Sequence, residues 1–200
     1  MLFREGILAI FVRNQSEHPM NEHVKSQAIR FGSIAGGLAL AYTLMAYLVD
    51  LTLMTNPWVG ILFWVVTLIL LIIAVSRAKA AMGGFISFKE AFSTFIVAYV
   101  IYALITTAFS MLLFNVVDTA AAAELQEMII ESSVGMMESF GAGEEQIEQS
   151  VEAMESQNSF GVMGLLQSFF WGIVGYAVIG LIVAAFMKKN KPDFLEEEVS

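Results

Sequence analysis

Cysteine is missing from all 200 residues. That one absence removes disulfides, thiolate nucleophiles, iron–sulfur ligation, thioether haem attachment and lipidation at cysteine. Histidine is almost missing too. His18 and His23 both precede the first long apolar run, so neither serves as an intramembrane proton relay or as a ligand on a later loop. Charge is sparse, at 14% of residues against about a quarter in an ordinary soluble domain. No paired acid and base, and no nucleophile beside a base, stands at membrane depth. The expectation is a non-enzyme with no catalytic residue, no cofactor and no metal.

What the chain does contain is apolar sequence, 58% of it, in long blocks that a small water-soluble core cannot hide. Residues 31–53 are apolar or small except for Asp50, and residues 58–75 form an uncharged run of 18. Residues 91–117 and 160–187 are uncharged and longer than the roughly 20 residues that cross a hydrocarbon core. The blocks lack the alternation of short lipid-facing strands. The expected fold is therefore all-α, an integral membrane four-helix bundle.

The cations fix an expected orientation. Arg4, Arg13, Lys25 and Arg30 precede the first span, Arg77, Lys79 and Lys89 lie between the second and third, and Lys188, Lys189 and Lys191 follow the fourth. Neither the link "DLTLMTNP" nor residues 118–159 contain any. By the positive-inside rule both termini and the middle loop are cytoplasmic. The anions gather on the other side, as Asp118, Glu124, Glu127, Glu131, Glu138, Glu144, Glu145, Glu148, Glu152 and Glu155. Without those ten carboxylates the net charge of −9 becomes +1. The only basic residues are small clusters flanking the spans, which act as topology signals near anionic lipid and disfavour a nucleic-acid partner.

Residues 118–159 have internal order. Leu125, Met128, Ile129, Met136 and Phe140 recur at helical spacing, with Glu124, Glu127, Glu131 and Glu138 on another side. After the break at Gly141–Gly143, the glutamates from Glu144 to Glu155 share a face beside Ile147, Val151 and Met154. An acidic helical hairpin between the third and fourth spans is expected. Glu148 and Glu152 stand one turn apart, but a helix face cannot supply the six to eight oxygens that calcium takes, so the carboxylates read as a solvated surface. The methionines there read as core filler.

Inside the spans the polar residues are mild. Tyr99, Tyr102, Thr106 and Ser110 lie along one side of the third span, and Gln167 and Ser168 stand early in the fourth. They serve either interhelical hydrogen bonds or a path for an uncharged solute. Gly32 and Gly36 form a GxxxG pair in the first span. Ser168, Gly172, Gly180 and Ala184 make a small-residue face in the fourth, interrupted by Tyr176. These six are the candidate helix-packing residues, within one copy or between a copy and a membrane-protein partner or homo-oligomer. Ahead of the third span, Gly83 and Gly84 permit a turn. Phe85, Ile86 and Phe88 are expected to dip into the membrane interface, with Glu90 complementing the helix dipole.

The first 19 residues hold only the seven-residue apolar run "GILAIFV", too short to span, and the expected start is Met20. The runs "GGFISFKEAF", "GAGEEQIEQSVEAME" and "IVAAFMKKNKPDF", in that order, resemble the bacterial four-helix membrane family known as domain of unknown function 4199 (DUF4199). The resemblance covers about residues 20–192, which places the membrane domain there and an acidic tail at 193–200. It implies an uncharacterised multi-pass protein of a Gram-negative inner membrane, with no family residues whose roles carry over. The expected role is that of an accessory or interaction subunit embedded in the lipid bilayer. The alternative is a small channel or facilitator for an uncharged solute.

Overall fold

The computed structural model describes residues 21–190. The expected start at Met20, the lead before it and the tail 193–200 lie outside these residues. Within them the chain forms α1 (Glu22–Val49), a single turn α2 (Thr52–Thr55), α3 (Pro57–Ala81) and α4 (Phe88–Leu112). A π-helical turn (Leu113–Val117) then leads to α5 (Thr119–Ser139), α6 (Glu144–Ser156) and α7 (Val162–Met187). The fold is all-α, and four helices are long and apolar enough to cross a membrane: α1, α3, α4 with its π-helical extension, and α7.

Local chemistry sets the helix ends. Asn21 caps α1 by accepting from the His23 N–H at 3.0 Å, and Asn56 caps α3 by accepting from the Trp58 N–H at 3.0 Å, with Pro57 at the first position. The first apolar block, expected to run to residue 53, is broken earlier. Asp50 takes extended geometry, and its carboxylate accepts from the Thr52 N–H and hydroxyl at 2.9 and 2.7 Å, starting the separate turn α2. Tyr42 then holds that turn to α1 by donating to the Leu53 carbonyl at 2.7 Å. α3 runs on to Ala81 and α4 starts at Phe88, both past their expected limits, since alanine and lysine flanks continue a helix nearly as readily as leucine does, whereas α7 stays within its expected bounds.

Between α3 and α4 the two glycines work as expected. Gly83 and Gly84 have φ of 74° and 87°, a left-handed geometry open to glycine, and the Gly84 N–H closes back on the Lys79 carbonyl at 2.9 Å. Ser87 and Glu90 form a capping box at the start of α4: Ser87 accepts from the Glu90 N–H at 3.2 Å, and the Glu90 carboxylate accepts from the Ser87 N–H at 2.9 Å. Ile86 does not sit in the interface. It is buried, and its backbone pairs with Lys189 through two bonds of 2.9 and 2.8 Å, because the last residues of α7 turn back over the α3–α4 loop. Lys79 reinforces this end by donating to the Met187 carbonyl at 2.8 Å, one of the orphan acceptors at the C-terminus of α7.

The α4 helix is central. It packs against α1 on one side and α7 on the other, while α3 leans on both α1 and α4. The shared core is rich in alanine, with Ala28, Ala74, Ala78, Ala91, Ala98 and Ala184 fully buried around Phe95 and Leu71. Lipid is as apolar as leucine, so helices in a membrane gain little from hiding leucine and more from close approach over small residues. The large apolar side chains point outward accordingly, among them Trp58, Trp64, Phe170, Trp171 and Phe186. Such a surface on a water-soluble monomer would aggregate; around spanning helices it is the lipid boundary.

A smaller second core sits at the far end of the spans. Leu113, Phe114, Ala121 and Leu125 are buried there against Tyr47, Met54 and Phe160, so the first half of α5 lies over α2 and the ends of α1 and α4.

Candidate functional site

The six candidate packing residues divide by location. Gly32 and Gly36 are buried where α1 crosses α4. A Cβ added at Gly32 would collide with the Ala98 carbonyl oxygen and come within 3.0 Å of Ile101 Cβ, and one at Gly36 would come within 2.8 Å of Ile105 Cδ1. On α7, Gly172 lies under the Tyr99 hydroxyl, Gly180 faces Phe95, and Ala184 is fully buried. Ser168 is exposed instead. Tyr176 is no interruption of this face: its ring stacks on Tyr99 with centroids 4.0 Å apart, and the missing side chains at Gly172 and Gly180 make room on either side.

The polar side of α4 is spent in the same contacts. Tyr99 is 5% exposed, its ring lies 5.8 Å from Tyr102, and the Thr106 hydroxyl donates to the Tyr102 carbonyl of its own helix at 3.1 Å. Ser110 is half-buried, whereas Gln167 and Ser168 on α7 stand exposed.

A side-chain hydrogen bond ties the start of the acidic segment to the spans. Asp118 caps α5, its Oδ1 accepting from the Ala121 N–H at 2.9 Å, while its Oδ2 accepts from the Tyr47 hydroxyl at 2.9 Å. The N–H of Asp118 itself donates to the Leu113 carbonyl five residues back, at 2.8 Å, which makes the turn π-helical. Asn115, in the middle of that turn, donates to the Phe160 carbonyl at 2.9 Å and so joins the end of α4 to the start of α7. Asp118 could have been recognised as a cap, an acid directly before an alanine-rich helical stretch. Tyr47 and Asn115 carry no such signal, since their partners lie 71 and 45 positions away.

Beyond Leu125, α5 is covered, among the described residues, by α6 alone. The two helices meet through a turn in which Gly141 has φ of 76°. Gln126 donates to the Met154 carbonyl at 2.9 Å, and Ile147, Val151 and Met154 are half-buried toward α5. The apolar arc of α5 is covered only in part. Met136 is 46% and Phe140 84% exposed, Phe140 standing at the C-cap of α5 where the chain turns toward α6.

The Ala121 N–H and the Tyr47 hydroxyl both hold the Asp118 carboxyl below its ordinary value of 3.8. A lowered folded value adds stability that is complete above 3.8 and fades as pH falls through it. Asp118→Ala is expected to speed amide exchange across the first turn of α5 about tenfold at neutral pH. Asp118→Asn, which keeps an acceptor for Ala121, should change it much less. In the parent chain, exchange relative to an unstructured peptide should rise only in strong acid. Equal rates for Asp118→Ala and the parent would remove Asp118 from this role.

The model of the family described as "Protein of unknown function (DUF4199)" matches residues 30–189, from within α1 to the end of α7. The chain belongs to the DUF4199 family. The match takes in the contacts described above except the cap at Asn21 and the burial of Ala28. No curated protein and no solved structure matches the chain.

Proposed function

We propose that this DUF4199 protein is a non-enzymatic inner-membrane protein, an accessory or interaction subunit that offers its acidic hairpin to a partner protein on the periplasmic face. The observation that carries the reading is the bare tip of α5. Phe140 is 84% exposed beside Met136, at the end of a hairpin whose ten carboxylates have no cation among residues 118–159. An exposed aromatic ringed by charge of one sign is the composition of a recognition patch. The direction follows from charge. α1 starts, α3 ends, α4 starts and α7 ends on one side of the spans, and Arg77, Lys79, Lys89, Lys188 and Lys189 belong to that side, which makes it cytoplasmic. The small-residue faces hold the spans of one copy together, so the partner contact falls to the hairpin.

The absence of cysteine makes the test direct. A single cysteine at Phe140 is expected to react with a membrane-impermeant maleimide on intact spheroplasts, and one at Met82 only after lysis. A photo-crosslinker at Phe140 should then give one discrete adduct that the same probe at lipid-facing Leu104 does not give. Labelling from the opposite side would overturn the orientation. Saturable flux of an uncharged solute through proteoliposomes, blocked by Thr106→Leu and with no adduct at Phe140, would replace this reading with that of a facilitator.

A further inference from the structure

A cavity of about 320 Å³ opens where the hairpin meets the spans, between the π-helical turn, the first turns of α5, the end of α6 and the start of α7. We propose that it binds a primary ammonium group.

Its polar wall consists of amides, the Thr119 hydroxyl and one acid. Asn115 commits its Nδ2 to the Phe160 carbonyl at 2.9 Å, which leaves its Oδ1 as an acceptor. Gln126 is committed at both ends, its Nε2 donating to the Met154 carbonyl at 2.9 Å and its Oε1 accepting from the Ser159 N–H at 3.4 Å, so it braces the wall. The exposed side chains of Glu155 and Gln157 stand on the rim. Behind them lie Phe114 and Phe160, whose rings meet edge to face at 5.1 Å.

The charge of the ligand follows from that wall. Glu155 is the only ionisable group among the lining residues, and residues 118–159 hold ten carboxylates and no Lys, Arg or His. An anion would meet a field of its own sign, whereas a cation is drawn in by the whole hairpin. A metal ion fits poorly, because magnesium and calcium need about six oxygens or more and one carboxylate is present. An ammonium has three donors on a compact head, suited to one carboxylate and two amide oxygens beside aromatic rings. The π-helical turn that ends α4 sets Asn115 in the cavity wall.

The cavity lies at the ends of α4 and α7, the depth of lipid headgroups, so the ammonium belongs either to an ethanolamine lipid or to a free amine. The proposal stands apart from the partner reading above, since it uses the base of the hairpin and not its tip. The test uses the full chain in nanodiscs of phosphatidylcholine. Ligand-observed NMR with ethanolamine is expected to show saturable binding, with choline as the comparison. Native mass spectrometry from mixed lipid should show retained phosphatidylethanolamine. Glu155→Gln should weaken whichever is bound by about tenfold or more, and Glu144→Gln, equally exposed but outside the cavity, should leave it unchanged; unaltered circular dichroism checks both folds. Ethanolamine binding that is lost in Glu155→Gln assigns a free amine, and retention of the lipid alone, lost in the same variant, assigns the headgroup. No preference for either primary amine over choline, or equal loss in both variants, overturns the site.

Discussion

Gly32→Leu is expected to prevent the spans from assembling, while Gly37→Ala, five residues along the same helix, is expected to stabilise the protein. The difference lies in what each position faces. A Cβ at Gly32 meets the Ala98 carbonyl oxygen, part of the α4 backbone, which cannot rotate aside. A whole leucine there must separate α1 from α4 and break the largest helix contact in the molecule, at more than the roughly 3 kcal/mol of ordinary overpacking. At Gly36 the obstacles are Ile105 Cδ1 at 2.8 Å, which can change rotamer, and Ile105 Cβ at 3.0 Å, which moves only with α4, so Gly36→Ala should cost about 1–2 kcal/mol. A Cβ added at Gly37 would meet no neighbouring element within 4 Å. Alanine there gains roughly 0.5–1 kcal/mol from backbone entropy and helix propensity. Thermal unfolding in one detergent should rank Gly37→Ala above the parent, then Gly36→Ala, then Gly32→Ala, with Gly32→Leu recovered as aggregate. If Gly32→Ala melts with Gly37→Ala, the crossing is not built as described.

Why the sequence tells some of this and not the rest follows from the same helix. An uncharged run of 18 or more residues can be satisfied in lipid only by closing its own hydrogen bonds, so α3, α4 and α7 are visible as soon as the charges are marked. Their ends are less visible, because Asp50 breaks α1 through its side chain and Ser87 starts α4 through a reciprocal cap, local features that an apolar count passes over. Rotation about the helix axis is harder still. Gly32, Gly36 and Gly37 are equally small, and only the position of α4 makes two of them contacts and leaves the third open. Tyr176 shows the same limit, an apparent gap in a small-residue face whose ring is in fact held between the glycines. Ile86 was expected at the membrane interface for want of any sign that Lys189 would return to pair with it across about a hundred residues. Exposure at the hairpin tip is likewise set by where α5 ends and the chain turns at Gly141, which the spacing of Met136 and Phe140 does not contain.

Phe95→Ala and Gly180→Leu should each destabilise the protein, and together should cost clearly less than the sum of the two. Phe95 is fully buried between α4 and α7, 6.4 Å from the Tyr176 ring, and its Cδ1 lies 2.8 Å from where a Cβ on Gly180 would sit. In water the loss of a buried phenyl combines a transfer term with a cavity term. In lipid the transfer term is small, because the unassembled helix is already solvated by hydrocarbon. The cavity term remains, and for roughly 100 Å³ of lost side chain it amounts to about 2–3 kcal/mol. Gly180→Leu fails for the opposite reason, by driving a branched side chain into the Phe95 ring, at roughly 1–3 kcal/mol. In the double variant the leucine occupies the space the phenyl leaves, so the coupling between the two sites should be favourable by about 2 kcal/mol. Unfolding of the four proteins by steric trapping in one bicelle composition measures it. Simple additivity would mean that Phe95 and Gly180 do not share a contact, and would move α7 to a different face of α4.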